Sequence, residues 1–126
     1  MPKGACLCGA VAFEVAGRLS PGIACHCSQC RRQSGHYWAS ISAPREAVAL
    51  RGEDRLRWHH ASPGIRRGFC GDCGSFLFWE PVGEGRIAIA LGAFEAPTGT
   101  RLAKHIFTAD KGDYYEIADG LPQTPD

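Results

Sequence analysis

Val11, Phe13 and Val15 alternate with small or polar neighbours, the period-two pattern of a half-buried strand. Short apolar or β-branched runs recur at Tyr37 to Ile41, Val48 to Leu50, Leu56 to His59, Ser75 to Trp79, Arg86 to Leu91, His105 to Phe107 and Tyr114 to Ile117, each expected to be a strand. Gly17, Pro21-Gly22, Arg51-Gly52, Pro63-Gly64, Gly83 to Gly85 and Pro97 to Gly99 punctuate them. Only Ser28 to Ser34 reads as a helical turn. The pattern predicts a mainly β chain forming one domain over residues 1–121, with the proline-marked residues 122–126 as a flexible tail. Trp38, Trp58 and Trp79 read as core, and His59-His60 as the two faces of one strand.

Composition sharpens this picture. The chain has 126 residues, 44% of them hydrophobic, with 16 Gly and 8 Pro, which suits short strands joined by tight turns. A formal net charge of +1 argues against nucleic acid or an anionic membrane as partner, since neither finds a basic surfeit to bind. No run approaches the roughly 20 apolar residues of a membrane span, and Met1 to Ala10 lacks a signal-type apolar stretch. The expectation is a cytoplasmic protein, in a compartment that keeps thiols reduced. A homo-oligomer is compatible with the sequence.

Seven cysteines are the unusual feature, because an odd number cannot close into intramolecular disulfides alone. They fall into three groups, Cys6-x-Cys8, Cys25-x-Cys27-x-x-Cys30 and Cys70-x-x-Cys73. In the last, a short turn aims two thiolates at one point, and in the first, residues two apart share a strand face. Together Cys6, Cys8, Cys70 and Cys73 offer the four thiolates of a closed structural zinc site. The middle group supplies three corners of a tetrahedron. It is either an open zinc site or a second structural site closed by one of His26, His36, His59, His60 and His105. Spacing also allows a middle-group cysteine to exchange into the other site.

An open zinc carrying three thiolates is electron-rich, and suits binding and deprotonating a further thiol better than generating hydroxide. Arg31 and Arg32 follow Cys30 directly. One of them could hold a carboxylate of the thiol ligand; the other readings are offset of thiolate charge or plain exposure to solvent. His26 is the nearest proton donor by sequence, followed by His36 and His105, each equally readable as a structural histidine.

Gly4-Ala5-Cys6-Leu7-Cys8-Gly9-Ala10-Val11 resembles the opening motif of the glutathione-dependent formaldehyde-activating enzyme family, which includes centromere protein V. Cys25-His26-Cys27-Ser28-Gln29-Cys30-Arg31-Arg32-Gln33-Ser34-Gly35 is similar to its second motif, and Phe69-Cys70-Gly71-Asp72-Cys73-Gly74-Ser75 to its third. Leu91 to Pro97 and Lys104 to Phe107 match downstream. The resemblance implies a fold of short twisted sheets shared with methionine-R-sulfoxide reductases and stapled by zinc. It implies two zinc ions, one on Cys6, Cys8, Cys70 and Cys73 and one on Cys25, Cys27 and Cys30. It further implies a carbon–sulfur lyase that joins glutathione to formaldehyde as S-hydroxymethylglutathione. Under that reading Cys25, Cys27, Cys30 and His26 are the catalytic candidates, and Arg31 or Arg32 would hold a carboxylate of the substrate. The rival readings are a zinc protein that binds glutathione or its adduct without catalysis, and a structural zinc interaction module.

Overall fold

A computed structural model describes all 126 residues. The alternation at Val11 to Val15 builds β2 (Ala12–Val15), which pairs with β1 (Lys3–Ala5) on one side and β5 (Val48–Arg51) on the other, all antiparallel. A second, seven-stranded sheet contains β3 (Gly22–Cys25), β4 (Trp38–Pro44), β6 (Leu56–Ser62), β7 (Ile65–Cys70), β8 (Phe76–Pro81), β9 (Arg86–Ala90) and β10 (Leu102–Ile106). Its order is β10-β3-β4-β9-β8-β7-β6, antiparallel throughout except for the parallel β10–β3 pair at one edge. The fold is mainly β, and the one α-helix is α1 (Ser28–Ser34).

The central strand β9 explains how the layers stack. Ile87 and Ile89 face the small sheet and pack with Val11, Phe13, Val15, Val48, Ile41 and Phe78 in the main core. Phe13 meets Phe78 and Phe94 edge-on, with centroids 5.7 and 5.1 Å apart. Each such fully buried side chain stabilises the fold by about 1.5–3 kcal/mol. Ala88 and Ala90 point to the opposite face, where their small size leaves room for Trp38 and Cys30. Both faces of β9 are therefore covered: the small sheet lies on one, α1 and its cysteines on the other.

Several elements differ from the sequence expectation. β3 and β7 are strands that the apolar pattern does not mark, since Gly22-Ile-Ala-Cys25 is small and β7 carries Arg66, Arg67 and Gly68. β1, reading Lys-Gly-Ala, is likewise unmarked. Gly68 is required because its partner Trp58 lays its ring where a Cβ would stand, 2.9 Å away. Tyr114 to Ile117 forms no strand; Tyr114 and Tyr115 turn onto His36, with ring centroids 5.5 and 4.4 Å from it. Residues 122–126 lie along β10: His105 N–H donates to the Pro122 carbonyl at 2.9 Å and Thr124 N–H to the His105 carbonyl at 3.0 Å. No helix is long and apolar enough to cross a membrane.

Candidate metal and thiol centres

The first and third cysteine groups meet. Sγ atoms of Cys6, Cys8, Cys70 and Cys73 all lie within 4.8 Å of one another. Cys6 and Cys8 do not share a strand face as the spacing suggested: β1 ends at Ala5, and the cysteines sit in a turn closed by Gly9 N–H donating to the Cys6 carbonyl at 3.1 Å. Cys70 ends β7 and Cys73 lies in the following turn, where Gly74 N–H donates to the Cys70 carbonyl at 2.8 Å. Gly74 has φ +81°, a left-handed conformation open to glycine without strain. Leu7 N–H donates to Ser75 Oγ at 3.0 Å and ties the two turns together. Val11 N–H donates to Cys6 Sγ at 3.3 Å, stabilising a thiolate there.

Protonation reveals what four close sulfurs require. Ser75 hydrogen-bonds Cys73 and lowers its thiol to about 5. At Cys8 the Ala10 amide pulls the other way, but burial and the neighbouring sulfurs prevail and push it up to about 12. Four thiolates in contact repel one another, so they ionise together only around a cation.

The middle group forms its own centre. Cys25 ends β3, Cys27 is the N-cap of α1, and Cys30 lies in its first turn, with Cys30 N–H donating to Cys27 Sγ at 3.3 Å. Their sulfurs also lie within 4.8 Å of one another, with no histidine gathered among them. Hydrogen bonding from Cys25 and Cys30 drives Cys27 strongly down, and the Cys27 sulfur drives Cys25 strongly up. Cys25 and Cys27 are half-buried and Cys30 is buried against Trp38. Both sets of donors, soft sulfur without oxygen, fit zinc.

The remaining expected residues scatter. Burial alternates from Gly22 to Cys27, placing His26 on the buried face and the sulfurs of Cys25 and Cys27 on the other. His26 Nε2 bonds His105 Nδ1 at 2.8 Å, and Tyr115 hydroxyl bonds His26 Nδ1 at 2.5 Å. With both nitrogens engaged, His26 is not a proton donor aimed at the thiolates. His105 is buried beside it, and His36 bonds the Tyr114 hydroxyl at 2.9 Å. Arg31 Nε donates to the Asp110 carbonyl at 3.3 Å, whereas Arg32 is exposed beside a cavity also lined by Gln29, Gln33, His59, Ala61 and Arg67.

Arg67 is the residue that sequence reasoning missed. It is 5% exposed, and its Nη1 donates to Cys30 Sγ at 3.4 Å and to Gln33 Oε1 at 3.3 Å. No periodicity in Ile65–Cys70 marks it, and only the pairing of β7 with its neighbours turns Arg67 inward.

A two-sheet β fold carrying one closed four-cysteine group and one three-cysteine group defines a small protein built around two centres able to bind metal. The sequence pattern of the glutathione-dependent formaldehyde-activating enzyme family matches residues 1–110, and the chain belongs to that family. It is 29% identical over 129 residues to a Halomonas elongata protein provisionally named a glutathione-dependent formaldehyde-activating enzyme, covering 91% of this chain and 80% of the relative. Its fold is similar to the crystal structure of a Rhodobacter sphaeroides protein, with a TM-score of 0.63 at 23% identity, over 75% of this chain and 88% of that one.

Proposed function

We propose that the chain is a zinc-dependent carbon–sulfur lyase-type enzyme that adds a glutathione-like thiol to formaldehyde, or a related small electrophile, to give S-hydroxymethylglutathione. The observation that carries this reading is the second centre, where three cysteine sulfurs converge and no histidine joins them. Cys25, Cys27 and Cys30 would hold one zinc ion, and Cys6, Cys8, Cys70 and Cys73 a second, structural one. Zinc held at the three-cysteine centre would favour loss of a bound thiol's proton to solvent at neutral pH.

The chain's own residues supply the rest. The half-exposed edge of Cys25 and Cys27 admits the thiol, while Trp38 and Ala90 close the buried side and keep water from Cys30. Arg67 places a fixed positive charge 3.4 Å from Cys30 Sγ and offsets the accumulated thiolate charge. The thiolate sulfur bonds the formaldehyde carbon as the carbonyl π bond opens, and the resulting alkoxide takes its proton from water at the exposed edge. His26 is a positioning residue: anchored by His105 and Tyr115, it fixes the backbone from which Cys25 and Cys27 project. The protein would act in the reducing cytoplasm, where its seven unbridged cysteines stay available as ligands.

Metal content and turnover test the reading together. The parent should carry two zinc ions per chain, and a folded Cys30→Ser variant one. Exchange NMR on formaldehyde–glutathione mixtures should show faster adduct exchange with the zinc-loaded parent and the uncatalysed rate with Cys30→Ser. Glutathione binding without any rate increase would replace the enzyme by a binding protein.

A further inference from the structure

Gln29, Arg32 and Gln33 stand at positions i, i+3 and i+4 of α1 and share one helix face. That face, with His59 and Ala61 of β6 and Arg67 of β7, walls a cavity of about 340 Å³. His59 and Arg67 are directly paired across β6 and β7. The lining contains two guanidinium groups, an imidazole and two carboxamides, and no acidic side chain.

Arg67 shows that this is more than a solvated basic surface. Its guanidinium is buried, yet none of the molecule's ion pairs includes it. Its Nε is buried with no hydrogen-bond partner. A guanidinium taken out of water needs anionic neighbours. Cys30, as a zinc-held thiolate under the reading above, would provide one on the inner side. The cavity is the other side.

We propose that this cavity binds the free carboxylate at the glycine end of a glutathione-like thiol, an assignment that rests on the thiol reading above. Arg32 offers the forked donors that match a carboxylate, and the buried Arg67 adds a fixed positive charge at the cavity wall. Gln33 spends its carbonyl oxygen on Arg67, so its amide hydrogens remain free to donate to the ligand. The γ-glutamyl end of glutathione is a poorer match, because its carboxylate carries an adjacent ammonium that finds no acid here. Arg67 thus touches the thiolate centre with one edge and lines the carboxylate site, linking recognition to the reacting sulfur across a single side chain.

S-methylglutathione, which has no thiol, isolates the cavity from the sulfur centre. Calorimetric titration of the zinc-loaded protein should show it binding about tenfold more tightly than its glycine-end ethyl ester, the loss expected for one charge-assisted contact. Acetylating the γ-glutamyl amine should leave binding unchanged. Arg32→Ala should weaken the acid about tenfold and leave the ester where it was, and Arg32→Lys should recover part of the difference. Equal binding of acid and ester by the parent, no binding of S-methylglutathione, or an Arg32→Ala loss equal for both ligands would each overturn the assignment. If the acid is preferred but glutathione binds no more tightly than S-methylglutathione, the cavity stands and the thiol reading falls.

Discussion

Asp119 accepts a hydrogen bond from His105 Nε2 at 2.7 Å, and an ionised carboxylate can only accept. That contact anchors one end of a chain of bonds running back through His26 to Tyr115. In the tautomer where His105 carries its proton on Nε2 toward Asp119, its Nδ1 accepts from His26 Nε2–H and His26 Nδ1 accepts the Tyr115 hydroxyl. Burial above all lowers the pKa of His26 and keeps it neutral for this role. The His105 hydrogen bond in turn depresses the pKa of Asp119 below its ordinary 3.8. A depressed carboxyl contributes stability that is present above its unfolded value and lost as pH falls through the folded one. Asp119→Asn should therefore lower the thermal midpoint at pH 7, and the gap from the parent should shrink as both are melted nearer pH 3. A gap that persists unchanged at low pH would show that Asp119 acts through shape instead of charge.

Turns between the strands show at element scale what periodicity alone cannot. Gly52 follows β5 with φ +78°, and a Cβ there would stand 1.8 Å from the Ala10 carbonyl oxygen. The turn must pass the Cys8–Val11 segment this closely to keep β5 paired with β2. Gly52→Ala combines left-handed strain with a backbone clash and should cost about 2–3 kcal/mol in urea unfolding. Gly64→Ala, at φ +74° with nothing within 4 Å, carries the strain without the clash and should cost distinctly less. The sequence marks both turns equally, as Arg51-Gly52 and Pro63-Gly64. Their difference lies in what packs against each.

At the scale of the whole molecule, the two cysteine centres differ in the chain they close. Cys8 and Cys70, 3.8 Å apart between sulfurs, are 62 residues apart in sequence, whereas Cys25 to Cys30 spans a single strand–helix junction. Closing a long loop removes more entropy from the unfolded chain than closing a short one. Metal at the four-cysteine centre should accordingly contribute most of the metal-dependent stability. Thermal melts should show a large loss for Cys70→Ser and a small one for Cys27→Ser, and chelation of the parent should reproduce the larger. Equal losses would mean that the three-cysteine centre is structural as well.

The mainly β class, most strands of the large sheet, the helical turn at Ser28–Ser34 and the three cysteine groups were legible in the sequence, because periodicity and ligand spacing are local properties. β3 and β7 were not, since small and charged residues become strands there only through their neighbours in the sheet. At the site, the cysteine types and spacings were set by the sequence. Tertiary structure decided that Cys6, Cys8, Cys70 and Cys73 gather as one group, that His26 faces away from the thiols, and that Arg67 lies under Cys30. Each of those facts depends on which strand lies beside which, and long-range pairing is fixed by packing the whole core.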